Sequence, residues 1–163
     1  MLELCEASLE KIFLNDGDPK KYSGPMPSEN QVFLQLAKGL AYIHQMGFIH
    51  RDLKPQNVLI CVQSDRKDVT MKWADFGLSK PVNERGTYSM SGIRGTYNWL
   101  APEILKIKKD SGTPPPRGTV KSDVFAEGLV FGYYLLDGEH PYGQDIEIML
   151  NIRNNNPVNL NGK

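Results

Sequence analysis

Eight consecutive residues constrain this chain more than any others: His50-Arg51-Asp52-Leu53-Lys54-Pro55-Gln56-Asn57, followed at once by the apolar run Val58, Leu59, Ile60. An acid, a lysine two residues on and an asparagine three further, closed by a strand, project one carboxylate, one ammonium and one amide into a shared pocket. Those groups suit a phosphate and the metal ion that travels with it. Eighteen positions after Asn57 stands Asp75-Phe76-Gly77, a second carboxylate beside a glycine that lets the backbone approach closely.

The elements around this loop follow from pattern. Residues 1–14 set Leu2, Leu4, Leu9, Ile12 and Phe13 among acids, which predicts an extended start and a short helix over 7–14. Residues 15–27, rich in Gly, Pro, Asp and Lys, form a loop. Ser28 with Gln31 three positions later is a capping box, and Val32, Phe33, Leu36, Leu40 and Ile43 recur at helical spacing until Gly47. This helix delivers the chain to His50. The runs 58–62 and 69–73 read as a hairpin joined by the polar stretch 63–68, so Asp52 precedes its first strand, Asp75 follows its second, and the two carboxylates converge. From 78 to 97 there is no apolar period and a loop is expected. Ala101-Pro102-Glu103 opens a short helix to Lys106, and 108–119, with Pro114 to Pro116, is a surface excursion that is neither helix nor central strand. Ser122 is expected to cap a central buried helix over 123–136, and Asp145 a last helix to about Arg153.

Composition matters at three points. Lys plus Arg number 19 and Asp plus Glu number 19, so no net field recruits nucleic acid or an anionic membrane, and this segment is expected to bind neither. The longest apolar stretch, 128–136, is far short of the roughly twenty residues a membrane span needs. Cys5 and Cys61 are far apart, with no Cys-x-x-Cys pair and no cluster with His44, His50 or His140; reduced thiols in a cytoplasmic setting are expected, with no metal site there.

The octapeptide resembles the catalytic loop of eukaryotic protein kinases, and with Asp75-Phe76-Gly77 and Ala101-Pro102-Glu103 in order the resemblance extends over nearly the whole chain. It implies the larger lobe of a protein kinase: mainly α with a short β-hairpin carrying the catalytic and metal-binding loops, α+β overall. Residue by residue, it makes Asp52 the catalytic base, Lys54 the phosphate-neutralising lysine, Asn57 and Asp75 the magnesium ligands, and Thr96 the residue that steadies Asp52 and Lys54. Lys54 at that spacing is the serine/threonine-kinase form. Arg51 resembles the arginine that reads a phosphorylated activation segment, with Thr87, Ser89 and Ser91 as the sites; Asp123 resembles the helix acid that braces the loop, and His50, Gly77 and Glu103 are structural supports. ATP and Mg2+ are the implied cofactors. A protein Ser/Thr side chain, including that of a second copy in trans, is the implied acceptor.

Leu4-Cys5-Glu6-Ala7-Ser8-Leu9, Asp75-Phe76-Gly77-Leu78-Ser79-Lys80, Trp99, and Gly138-Glu139-His140-Pro141-Tyr142-Gly143 are similar to the inositol-requiring kinase/endoribonuclease family of the unfolded-protein response. That resemblance implies a parent tethered to the endoplasmic reticulum with this part on the cytosolic side, a homodimer in its full-length form. The ribonuclease module of that family lies beyond these residues. The 163 residues contain no Gly-x-Gly-x-x-Gly and no Val-Ala-x-Lys strand, so the whole chain is expected to be a partial kinase C-terminal lobe. Two readings stay open: an active serine/threonine kinase when complete, or a non-catalytic kinase remnant serving as a binding or regulatory module.

Overall fold

The computed structural model describes residues 4–63, 68–90, 92–107 and 117–160. The chain opens with a two-residue strand, β1 (Ala7–Ser8), and a 3-10 turn, Leu9–Phe13, where residues 7–14 had predicted one helix. The backbone of β1 pairs antiparallel with the strand Val58–Val62, which draws Ala7 and Ser8 out of any helix and buries Leu9 completely. Helix α1 (Glu29–Gln45) starts at the expected capping box: the Gln31 side chain accepts from the Ser28 backbone N–H at 3.0 Å.

Strand β2 (Phe48–Ile49) leads into the polar octapeptide, and β3 (Val58–Val62) and β4 (Val69–Trp73) form the expected hairpin. The sheet order is β1-β3-β4, with Val58 opposite Trp73 and Val62 opposite Val69. The outer edge of β4 is covered by a helix side chain: Gln35 accepts from Met71 N at 2.7 Å and donates to Val69 O at 3.3 Å. Trp73 Nε1 donates to Leu36 O at 3.0 Å, which fastens the hairpin to α1. Val32, Leu36 and Leu40 of α1 meet Val58, Ile60, Met71 and Trp73 in one continuous core.

The stretch expected to be featureless holds two more strands. β5 (Lys80–Pro81) pairs with β2, and β6 (Thr87–Ser89) pairs with β7 (Arg117–Thr119). Strands of two or three residues carry no readable alternation, because backbone pairing partners supplied from elsewhere make them. β7 is an edge strand, so the expectation that 108–119 holds no central strand stands for its described end; 108–116 lie outside the described residues. Ile104 of α2 (Pro102–Leu105) joins Ile49, Tyr88, Met90, Leu100 and Ala101 in a second, smaller core.

Helix α3 (Lys121–Leu135) begins two residues earlier than expected. Val120 is its N-cap, and Ser122, inside the first turn, donates instead to Thr119 O at 2.8 Å. It is central but not buried all round: Ala126, Leu129 and Val130 are in the core, whereas Val124 and Leu135 are about half exposed. The last helix, α4 (Glu147–Arg153), is capped by Ile146, with Asp145 in a left-handed conformation at φ 45° just before it.

One expectation is overturned outright. Cys5 and Cys61 are joined in a disulfide, Cα–Cα 4.2 Å, and are not reduced thiols. Sequence separation concealed their proximity; the β1–β3 ladder, with Ala7 opposite Ile60, creates it.

Candidate active site

Asp52 is buried, 8% exposed, and every polar atom of its carboxylate is engaged. Oδ1 accepts from Thr96 N at 2.9 Å and Thr96 Oγ1 at 2.8 Å. Oδ2 lies 3.0 Å from Lys54 Nζ and accepts from Asn57 Nδ2 at 3.2 Å. Lys54 Nζ also donates to Thr96 Oγ1 at 2.8 Å, so acid, lysine and threonine close a three-membered network. Burial pushes the Asp52 carboxyl upward, but the hydrogen bonds from Lys54 and Thr96 and the Lys54 charge outweigh it and hold the group below its ordinary value. Asp52 is therefore ionised at neutral pH, better at orienting a hydroxyl than at removing its proton early.

Thr96 reaches Asp52 because Gly95 permits it. At φ 104° Gly95 sits where a Cβ would stand 2.5 Å from Arg51 O, so only glycine allows the segment to lie this close against the loop.

Beneath the loop, Asp123 is 2% exposed and holds the loop backbone. Its Oδ2 accepts from His50 N at 2.8 Å and its Oδ1 from Arg51 N at 2.9 Å, while His44 Nε2 lies 2.9 Å from Oδ2. These bonds fix Arg51 at φ 72°, a left-handed conformation rare for a non-glycine residue. His50 is fully buried; burial lowers its pKa and the ring is neutral. Its Nε2–H donates to Ala74 O at 2.9 Å, and Nδ1 accepts from Asp52 N at 3.3 Å. The Phe76 ring packs on it at 4.9 Å, joining the two loops.

The hairpin brings Asn57 and Asp75 to the same end. Ala74 N donates to Asn57 O at 2.9 Å, which places Asp75 one residue past that bond. Asn57 Nδ2 is committed to Asp52 O at 2.8 Å, so the amide presents its oxygen as the ligand atom. Asp75 is exposed, at φ 62°, and Gly77 N donates to its Oδ1 at 3.2 Å. One carboxylate and one amide oxygen, with phosphate oxygens and water completing the shell, is a donor set that fits magnesium. Among the described residues no cluster of three His, Cys, Asp or Glu offers another metal site.

Arg51 does not stand free. Its Nε donates to Leu78 O, and its guanidinium carbon lies 5.5 Å from the centroid of the Tyr88 ring. Tyr88, 6% exposed, lines a small cavity with Arg51, Arg94, Thr96, Ser122 and Asp123. Ser89 is exposed, and Thr87 Oγ1 donates to Asn83 Oδ1 at 3.0 Å. Ser91 lies outside the described residues. Glu103 is exposed on α2 and joins no ion pair among the described residues. Sequence reasoning missed Tyr88 and His44; a histidine on an otherwise apolar helix face was the available signal for the second.

Residues 1–160 match the protein kinase domain model. The chain is 39% identical over 153 residues to human serine/threonine-protein kinase/endoribonuclease IRE2, covering 93% of this chain and 16% of that protein. It is 36% identical to serine/threonine-protein kinase/endoribonuclease ire-1 of Caenorhabditis elegans, over 94% of this chain and 15% of that one. The sensor for unfolded proteins in the ER ire1 of Schizosaccharomyces pombe is 31% identical, over 96% and 16%. Among solved structures, the yeast RNA Pol II CTD kinase CTDK-1 complex superimposes with TM-score 0.64 at 26% identity, covering 89% of this chain and 41% of that chain. The chain thus spans about a sixth of the length of these curated relatives. With an ionised aspartate held by a lysine and a threonine, an asparagine and an aspartate at one hairpin end, and a kinase domain match over nearly its full length, this chain belongs to the protein kinase family and is similar to the IRE1-type kinase/endoribonucleases.

Proposed function

We propose that these residues are the phosphoryl-transfer half of a serine/threonine protein kinase, within a longer kinase/endoribonuclease that answers unfolded protein from the cytosolic face of the endoplasmic reticulum. The observation that carries it is the Asp52–Lys54–Thr96 network, with all three contacts at 3.0 Å or less. Asp52 accepts the hydrogen of a protein Ser or Thr hydroxyl and aims its oxygen at the phosphorus; Lys54 faces the transferring phosphoryl group and offsets its charge. Asn57 and Asp75 would hold the magnesium ion, which shields the negative charge of ATP when bound. Phosphates on Thr87, Ser89 or Ser91 would draw Arg51 away from Tyr88 and Leu78 and, paired with it, order the segment against the loop.

The test is Asp52→Asn in the complete protein. General acid-base assistance is worth about a hundred- to ten-thousand-fold, so turnover should fall by that order while folding is preserved. Near-native turnover would remove Asp52 from the role. For the 163-residue polypeptide alone we expect weak ATP binding and no measurable transfer.

A further inference from the structure

The Cys5–Cys61 disulfide is a covalent feature that phosphoryl transfer does not use. Its two cysteines are the only ones in the chain, and they lie 56 residues apart in sequence. The bond sits at the start of a contact line between the leading segment and the strand that leaves the catalytic loop. Next along that line, Glu6 N donates to Ile60 O at 2.8 Å; then Ala7 faces Ile60 and Ser8 faces Leu59. The line ends where Glu10 Oε2 accepts from Gln56 Nε2 at 2.6 Å, between Lys54 and Asn57.

The β1 ladder to β3 spans only two residue pairs and is anchored on its far side by fully buried Leu9, so the covalent tether on its near side acts on the residues before Ala7, Glu6 first. The two sulfurs also differ in access: Cys5 is partly exposed and Cys61 is buried. That asymmetry suits exchange, with an outer sulfur open to a small thiol and an inner one held beside it to resolve the mixed disulfide.

We propose that Cys5 and Cys61 are a reversible thiol–disulfide site, exchanging with a small disulfide such as glutathione disulfide, that latches β1 onto β3 beside the catalytic loop. Oxidation runs in two balanced steps. The Cys5 thiolate attacks glutathione disulfide, forming a Cys5–glutathione bond and releasing one glutathione thiolate. The Cys61 thiolate then attacks the Cys5 sulfur and releases the second; each departing thiolate takes up a proton given by a cysteine thiol. Reduction by glutathione is the reverse. The site stands independently of the phosphoryl-transfer reading, and nothing in its test measures phosphate transfer.

The experiment equilibrates the 163-residue chain in glutathione buffers of graded reduced-to-oxidised ratio, quenches in acid, alkylates free thiols and reads intact mass. The expected result is conversion from no alkyl groups to two as the buffer becomes reducing, with the singly glutathionylated form a minor species. Cys61→Ser should instead accumulate that adduct on Cys5. Amide exchange at Glu6 should quicken by at least about tenfold in the reduced chain while the amides of α1 stay unchanged. Two alkyl groups at every ratio would overturn the pairing. A bond that survives millimolar reduced glutathione, or unchanged Glu6 exchange on reduction, would overturn the latch.

Discussion

Glu127 lies on α3 one turn beyond Asp123, 9% exposed, with its Oε1 buried and lacking any hydrogen-bond partner. Burial pushes its carboxyl up from 4.5 to about 7; the facing His44 of α1 draws it down and Asp123 on its own helix draws it up. The unfolded chain releases this proton near pH 4.5, and the folded chain keeps it to about 7. Between those values the native state binds more protons, so its stability falls as pH rises. At 1.36 kcal/mol per unit, the charge on Glu127 costs the fold about 3 kcal/mol above pH 7. Glu127→Gln keeps the shape and removes the titration. We expect the stability difference, variant minus parent, to climb from a baseline at pH 4.5 by about 3 kcal/mol and level off just above pH 7.

Urea unfolding across that range, followed by fluorescence of the buried Trp73 and Trp99, measures it. The difference is the informative quantity because His140 opposes Glu127 in the parent. Its ring, buried with Nε2 donating to Asn98 O at 2.9 Å, is held down to about 4 from 6.5, so its contribution is complete above 6.5 and is lost as pH falls. Buried His50 slopes the same way. The parent profile should therefore be shallow between about 4.5 and 6.5, and the variant should rise with pH there. A difference that is flat with pH, or that grows toward acid, would refute the reasoning.

Asp123→Ala should cost about 3–5 kcal/mol in the same unfolding assay, since it strands the buried backbone N–H groups of His50 and Arg51; a loss under 1 kcal/mol would mean the loop is braced from elsewhere. Asp75→Ala in the complete protein should weaken nucleotide binding in the presence of magnesium and leave magnesium-free binding nearly unaltered; calorimetric titration with and without the ion separates the two. Replacing Thr87, Ser89 and Ser91 together by alanine should abolish activation by autophosphorylation, and a variant that activates as fully as the parent would place the switch outside this segment.

What the residues alone determined is what depends on neighbours in sequence. The capping box at Ser28, the apolar spacing of α1, the hairpin of β3 and β4, and the loop from His50 to Asn57 are all set within a few positions, by propensity and hydrogen-bond chemistry. Hairpin register then carried Asn57 and Asp75 to one end, so the candidate metal ligands were legible too. The tertiary structure decided everything that joins distant segments. Asp123 reaches the loop backbone across 72 and 73 positions, Thr96 meets Asp52 across 44, and Tyr88 rests on Arg51 because β6 pairs with β7. The cysteines make the point most sharply: their spacing argued for free thiols, yet a two-residue strand with no periodicity of its own pairs with β3 and sets them side by side. Such contacts arise from chain closure and shared burial, whose energies depend on the whole fold and leave no periodic trace in either partner.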